Sequence, residues 1–239
     1  VVRFAIELGF SGYPKLQKSL QELIKNKLTT VQRLELSSDY ITEGHALKGV
    51  LKADMENIRS TMEKIDYNTF EDVVNNIFAA KRIYIIGLRS SMALAEFLGF
   101  YLNIILQNVK TVGYGISDIF EQMINVGEGD LVIGIGFPRY ASRTIDALAF
   151  AQDRGATVVA VTDSFLSPLA ARADYSLIAQ SNMASFVDSL VAPLSVINAL
   201  IIAVGMREKE NISSTFNSLE EIWREYNVYS YNNRNVGDD

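Results

Sequence analysis

Two polar loops carry the residues whose types and spacing could bind an anion. The first loop, residues 87–92, reads GLRSSM and passes from an apolar run into a predicted helix. A helix start offers unpaired backbone N–H groups and the positive end of the helix dipole, and both favour an anion. Ser90 and Ser91 add hydroxyl donors, and Arg89 adds a positive charge. The alternative is that Ser90 is simply the N-cap of the helix.

The second loop, residues 136–144, reads GFPRYASRT and also joins a predicted strand to a predicted helix. Its guanidinium groups suit planar or bidentate contact with a phosphate or a carboxylate. The alternative is a pair of surface charges beside a capping serine. Because both loops fall at one predicted sheet edge, we predict that they hold a phosphate between them. The predicted ligand-binding residues are Arg89, Ser90, Ser91, Arg139, Ser142, Arg143 and Thr144.

The elements that must position these loops are five short, apolar and β-branched runs at 82–87, 109–114, 131–137, 157–162 and 175–179. Runs of this kind are typical of strands that are buried on both faces of a parallel sheet. Helical patterns alternate with them near 70–80, 92–107, 117–125, 142–154 and 168–172, which favours right-handed βαβ units. We therefore predict a doubly wound, five-stranded parallel sheet of the flavodoxin-like α/β class. Ligands of such sheets bind beyond the carboxyl ends of the strands.

The segment ahead of the sheet is predicted to be all-helical, with helices at 1–8, 13–27 and 39–65. We expect Phe4, Leu8 and Phe10 to pack in a core. The 39–65 helix carries an apolar stripe that predicts packing on a neighbour and hence a homo-oligomer, a dimer or tetramer. Its members are Leu47, Val50, Leu51, Met55, Ile58 and Met62. Further helices are predicted at 186–205 and 214–227, and residues 232–239 are predicted to be disordered.

Composition excludes several classes of site. The 239 residues include no cysteine, so disulfides and thiolate metal sites are excluded. The loops hold neither a Walker lysine nor a GxGxxG run, so they lack a nucleotide fingerprint. We predict no metal and no cofactor. No apolar run is long enough to span a bilayer, which favours a cytoplasmic protein without a membrane partner.

Charge is distributed unevenly along the chain. Residues 1–35 hold six basic and three acidic residues, a net charge of +3. Because the whole chain has a net charge of −6, the remaining residues carry a net charge of −9. A basic end on an acidic body favours a polyanion partner at the N-terminal end. The alternative is a solvated helix face.

The chain resembles two known families in their usual order. The stretches YIIGLRSSMALAEF and DLVIGIGFPRYASRTIDALAFAQDRGATVVAVTDSFLSPLAARADYSLIA resemble a SIS (sugar isomerase) domain. The opening VVRFAIELGFSGYPKLQKSL resembles the end of the helix-turn-helix of RpiR/MurR transcriptional regulators. The runs LGFSGYP and TDSFLSPLA are the most specific pieces.

The resemblance implies a DNA-binding head, a dimer and a phosphosugar effector. It implies DNA contacts by Arg3, Ser11, Tyr13 and Lys15, and it implies that operator binding needs residues upstream of Val1. The predicted domains are the end of a helix-turn-helix at 1–38, a helical connector at 39–66, the SIS domain at 67–207, and a C-terminal helix and tail at 208–239.

Both loops depart from the usual SIS pattern. Arg89 stands where Gly-x-Gly-x-Ser has its second glycine, and Pro138-Arg139-Tyr140 replaces most of Ser-x-Ser-Gly-x-Thr. The added arginines favour a more acidic ligand, such as a phosphorylated sugar acid. Asp163 could accept a hydrogen bond from a sugar hydroxyl, but we favour a role in holding its turn.

The predicted function is a ligand-responsive transcriptional regulator without catalytic residues. One alternative is an aldose–ketose sugar-phosphate isomerase, which needs a general base. For that role the chain offers His45 in the connector and Glu96 and Glu121 on predicted helices, where we interpret them as solvated or paired. Another alternative is a catalytically silent sugar-phosphate sensor that acts through proteins.

Overall fold

The computed structural model describes residues 2–9, 11–14, 16–17, 28–37, 45–183 and 185–230. The helices ahead of the sheet are α1 (Val2–Glu7), α2 (Thr30–Ser37), α3 (Ala46–Lys64) and α4 (Tyr67–Ala79). Strands and helices then alternate as β1 (Ile83–Ile86), α5 (Met92–Leu106), β2 (Val109–Val112), α6 (Ile119–Gln122), β3 (Leu131–Ile135), α7 (Ser142–Asp153), β4 (Thr157–Thr162) and β5 (Tyr175–Ile178). The long helices α8 (Val191–Arg207) and α9 (Lys209–Glu225) follow.

The five strands form one parallel sheet in the order β2-β1-β3-β4-β5, which confirms the predicted doubly wound fold. Ile83 of β1 lies between Val109 of β2 and Leu131 of β3. The chain therefore winds outward in opposite directions from the β1–β3 pair. Brought together at this switch point, the loops after β1 and β3 open a crevice at the carboxyl edge of the sheet.

Two apolar layers cover the sheet. One layer joins α4, α5 and α8 to one face and includes Ile77, Leu98 and Ile197. The other joins α6 and α7 to the opposite face and includes Met123 and Leu148. Because β1 and β3 are buried along their whole length, the loops that leave them start from fixed positions.

The predicted strands match the observed ones to within two residues, but the short helix α2 was not predicted. Its first turn carries a capping box, in which the Gln32 N–H donates to Thr29 Oγ1 (3.3 Å) and the Thr29 N–H donates to Gln32 Oε1 (3.0 Å). The predicted helix near 168–172 is only a 3₁₀ turn, Ala170–Arg172. The predicted 13–27 helix is helical at the described residues Tyr13, Pro14, Leu16 and Gln17, and its remainder lies outside the described residues, as does 232–239.

The expected core packing of Phe4 and Leu8 is wrong, because these side chains are 57% and 51% exposed. Helix α1 is six residues long and buries only Ala5, which is too narrow a contact to cover both. Phe10 lies outside the described residues. On α3 the predicted stripe is also open to solvent, and Leu47 and Met55 are 77% and 70% exposed.

Within the described ranges no single helix is long and apolar enough to cross a membrane. Helix α8 and residues 212–225 reach that length and composition only when they are taken together, and the two are bent by 109°. No group of His, Asp and Glu side chains in those ranges could hold a metal ion.

Candidate functional site

A cleft of about 530 Å³ lies at the carboxyl ends of β1 and β3. All seven predicted ligand-binding residues line it. The other lining residues are Leu88, Tyr114, Ile135, Gly136, Phe137, Pro138, Tyr140, Ala141 and Asp188. The two loops thus meet in one cleft, as their places after neighbouring parallel strands predicted.

The first loop turns sharply at Gly87, where a Cβ atom would lie 2.6 Å from the carbonyl oxygen of Ser91. The turn is followed by a 3₁₀ segment, Arg89–Ser91, that leads into α5. Ser91, not Ser90, is at the N-cap of α5, and its side chain makes no capping hydrogen bond. The capping role considered for Ser90 is therefore wrong, and both hydroxyls remain available at a helix start.

The second loop places its polar groups at the start of α7. Ala141 is the N-cap, so Ser142 is not the cap either. Arg143 donates to Asp118 Oδ2, and its guanidinium lies 5.1 Å from the centre of the Phe120 ring. Thr144 Oγ1 is buried without a hydrogen-bond partner among the described residues. A buried hydroxyl without a partner is costly, so a ligand oxygen would satisfy it.

Positive charge dominates the cleft. Arg89, Arg139 and Arg143 line it, whereas Asp188 is its one carboxylate among the described residues. Asp188 accepts from the Nη1 of Arg33 at 2.9 Å. Burial raises the pKa of Asp188, and the neighbouring Arg33 opposes that shift. Because three arginines and one carboxylate line the cleft in the described part of the chain, its charge suits an anion.

Asp163 lies behind the cleft, where it accepts from the Tyr140 hydroxyl at 2.7 Å. Burial raises the pKa of Asp163 and the pKa of Tyr140. Thr162 also donates to Asp163, at 3.3 Å. The Asp163 carboxylate therefore orients a tyrosine of the cleft, a role that differs from the turn-holding role favoured from the sequence.

Two comparisons decide the family. A model of the SIS domain matches residues 76–203, more than half of the chain. The SIS domain of an RpiR transcription factor from Sphaerobacter thermophilus is 30% identical, and the superposition covers 74% of this chain and 99% of that one with a TM-score of 0.71. The chain belongs to the RpiR family.

Other similar proteins extend beyond the SIS domain. An uncharacterized HTH-type transcriptional regulator from Haemophilus influenzae is 28% identical over 223 residues, which cover 90% of this chain and 76% of that protein. The Vibrio vulnificus NanR protein, solved in complex with ManNAc-6P, is 19% identical with a TM-score of 0.65 over 95% of this chain and 80% of that chain. The likeness to NanR shows a shared fold.

The departures of this RpiR-family chain from the usual SIS loops have a backbone signature. Arg89 has φ +59°, which explains why the SIS pattern favours glycine at that position. Arg139, in the altered second loop, has φ +64°. A left-handed conformation is uncommon for a residue other than glycine, and such outliers cluster at functional sites. Both arginines are therefore held in the cleft at some cost in backbone energy.

The isomerase candidates lie elsewhere in the SIS fold. His45 precedes α3, and Glu96 is exposed on α5 outside the cleft. Glu121 accepts from the backbone N–H of Asp118 at 2.9 Å in the capping box of α6. The paired role expected for Glu121 is confirmed.

Sequence reasoning missed Tyr114 and Asp188 in the cleft and the contacts of α2 with it. Asp188 has no local signal beyond its place before α8, because its partner Arg33 is 155 residues away. Of the predicted DNA-binding residues, Arg3, Ser11 and Tyr13 are exposed near α1, and Lys15 lies outside the described residues.

Proposed function

We propose that the chain is a cytoplasmic, ligand-responsive transcriptional regulator whose cleft binds a phosphorylated sugar or sugar acid. The observation that carries the proposal is the meeting of two hydroxyl-and-arginine loops at the switch point of the sheet. Ser90, Ser91 and the first turn of α5 hold the phosphate, with Arg139, Ser142, Arg143 and Thr144 on its other side. The complex of the similarly folded NanR with ManNAc-6P supports this chemistry.

The cleft arginines favour a ligand with more than one anionic group. The Arg89 side chain has no hydrogen-bond partner among the described residues and can bind an anion without breaking an existing contact. The guanidinium fork matches both carboxylate and phosphate oxygens. A phosphorylated sugar acid offers both groups, so we expect it to bind more tightly than the corresponding sugar phosphate that lacks the carboxylate.

The N-terminal segment is the proposed DNA contact, through Arg3, Ser11, Tyr13 and Lys15. Relatives named HTH-type transcriptional regulators align over most of this chain, which supports the proposal. Sequence-specific readout needs a recognition helix that a partner helix holds in the major groove. We also propose that the protein is a homo-oligomer, because the apolar stripe of α3 lies open to solvent.

The regulator proposal is tested by effector-dependent DNA binding. A thermal-shift screen of phosphorylated sugars and sugar acids identifies the ligand, which at a hundred times its Kd stabilises the fold by about 2.7 kcal/mol. A gel shift of the protein on its own promoter region, with and without that ligand, follows. An effector must bind two states unequally, so DNA affinity changes if the proposal holds.

Two other outcomes favour the alternatives. Conversion of an aldose phosphate to a ketose phosphate, with no DNA binding, would favour the isomerase. Ligand binding without any change in DNA affinity would favour a silent sensor that acts through proteins. Loss of that conversion in the Asp188→Asn variant would further favour the isomerase, since Asp188 is the one carboxylate among the described residues that lines the cleft.

A further inference from the structure

Helix α2 contacts the same residues that the ligand would use. The Nη1 of Arg139 donates to Thr30 Oγ1 at 2.5 Å, and the Nη1 of Arg33 donates to Asp188 Oδ1 at 2.9 Å. Arg139 and Asp188 both line the cleft. The segment ahead of the SIS domain is therefore attached to the cleft itself.

The attachment leaves one hydrogen-bond donor of Arg33 without a partner among the described residues. The Arg33 side chain is only 2% exposed, and its Nε is buried without a hydrogen-bond partner among the described residues. A buried guanidinium is costly unless its donors are paired. Asp188 pairs with one donor and remains 21% exposed. The contact thus holds α2 in place without using all the hydrogen bonds that Arg33 offers.

Asp188 is fixed from the side of the SIS domain. The segment that delivers it is bound to α3, where Asn57 Nδ2 donates to the Asn182 carbonyl (3.0 Å) and the Asn182 N–H donates to Asn57 Oδ1 (3.2 Å). The Ser189 hydroxyl donates to Asp54 Oδ1 at 2.6 Å. When the contact between Asp188 and Arg33 breaks, α2 rather than Asp188 is the part able to move.

The N–H that Arg139 donates to Thr30 is not available to a ligand while α2 is docked. Thr30 offers a neutral hydroxyl, whereas a phosphate offers charged oxygens that a guanidinium can bind bidentately. The phosphate is therefore the stronger acceptor for Arg139, which acts against the docked position of α2.

Resting on the proposed function, we infer that α2 is a displaceable lid on the effector cleft and that a phosphorylated ligand competes with it for Arg139. Ligand binding releases α2 and, with it, the N-terminal segment that α2 connects to the SIS domain. Ligand and lid then weaken each other's binding by the same factor, as reciprocity of coupled equilibria requires.

The test uses Thr30→Ala, which removes the lid's contact with Arg139 and changes neither a charge nor a cleft-lining residue. We expect this variant to bind ManNAc-6P and inorganic phosphate roughly 2- to 10-fold more tightly than the unmodified chain, the equivalent of one hydrogen bond. Val31→Ala is the matched control, since Val31 is the next residue of α2 and 64% exposed. Hydrogen exchange of peptides spanning 28–37 should increase when either probe binds.

The outcomes separate this inference from the proposed function. Weaker binding by Thr30→Ala, or protection of 28–37 by the ligand, would show that α2 closes on the ligand instead, and the lid would be refuted. Unchanged affinity together with unchanged exchange would refute it as well, while binding itself would leave the effector cleft standing. If neither probe binds to any variant, and the ligand screen is also negative, the cleft proposal fails and the lid fails with it.

Discussion

Arg89 and Arg139 combine a positive charge in the cleft with an unfavourable backbone conformation. Their φ values of +59° and +64° lie in the left-handed region, which glycine adopts without steric cost. The family pattern has glycine at the first of these positions. This chain instead has an arginine there, which places a guanidinium in the cleft but strains the backbone. Side-chain and backbone contributions of Arg89 can be separated by two substitutions.

Arg89→Gly and Arg89→Ala both remove the charge, and both should weaken phosphate binding to a similar degree. Only glycine relieves the left-handed strain, so Arg89→Gly should have a free energy of unfolding about 1 kcal/mol above that of Arg89→Ala. Urea denaturation of the two variants measures this difference. Equal stabilities would mean that the positive φ of residue 89 carries no strain.

Asp163 should make stability depend on pH. Burial raises its folded pKa, so its contribution to stability is present below the unfolded pKa and is lost as the pH rises through the folded pKa. Asp163→Asn keeps an oxygen for the Tyr140 hydroxyl and removes the titration. At about pH 7 this variant should be more stable than the unmodified chain, and the gap should shrink toward about pH 4, near the ordinary carboxyl range. A gap that stays constant over this range would contradict the assignment.

At the scale of the elements, α3 is held to the SIS domain by polar groups on one face and carries apolar side chains on another. Asn57 is 1% exposed and makes two hydrogen bonds with the backbone of Asn182, while Thr61 Oγ1 accepts from the Gln180 N–H at 2.8 Å. These bonds satisfy backbone groups of the segment that carries Asp188. The helix therefore positions one wall of the cleft without touching it.

Asn57→Ala should leave the N–H and the carbonyl of Asn182 without their partner. Asn182 is exposed, so water can replace the lost partner, and each hydrogen bond contributes about 0.5–1.5 kcal/mol; we therefore expect a loss of at least about 1 kcal/mol in the free energy of unfolding. Glu56→Ala on the same helix is the control, since its side chain is 62% exposed and its ion pair with Arg59 lies at the surface. Chemical denaturation of both variants provides the comparison, and equal losses would contradict the role given to Asn57.

The strands could be predicted because their apolar, β-branched runs are buried on both faces. The seven cleft residues could be predicted because loops that follow neighbouring parallel strands meet at one edge. Helix α2 carried a readable signal, the Thr29–Gln32 capping box, within a short polar stretch. The attachment of Thr30 to Arg139 had none, because it joins residues 109 positions apart through a fold that must form first.

At the scale of the whole molecule, the apolar stripe of α3 forms an exposed surface. Leu47, Met55 and Met62 are each more than 60% exposed, and Leu51 is 54% exposed. Contiguous apolar surface of this kind marks an interaction site. A second copy of the chain is the partner proposed above.

Leu51→Glu should dissociate the proposed oligomer, because an unpaired carboxylate at an apolar interface loses its hydration. Light scattering at micromolar concentration should give a higher mass for the unmodified chain than for this variant. Leu166→Glu is the matched control on a loop, where the leucine is 82% exposed. A monomeric mass for the unmodified chain would refute the oligomer, and dissociation by the control alone would place the interface elsewhere.

The cleft as a phosphate site is tested most directly by calorimetric titration of the Ser90→Ala/Ser91→Ala double variant with the ligand found in the screen. Each hydroxyl lost from a charged acceptor should cost roughly 1.5–3 kcal/mol, so the double variant should bind at least about a hundredfold more weakly. Neither serine makes a capping bond, so the thermal stability without ligand should change little. Unchanged affinity of the folded double variant would contradict the placement of the phosphate between the two loops.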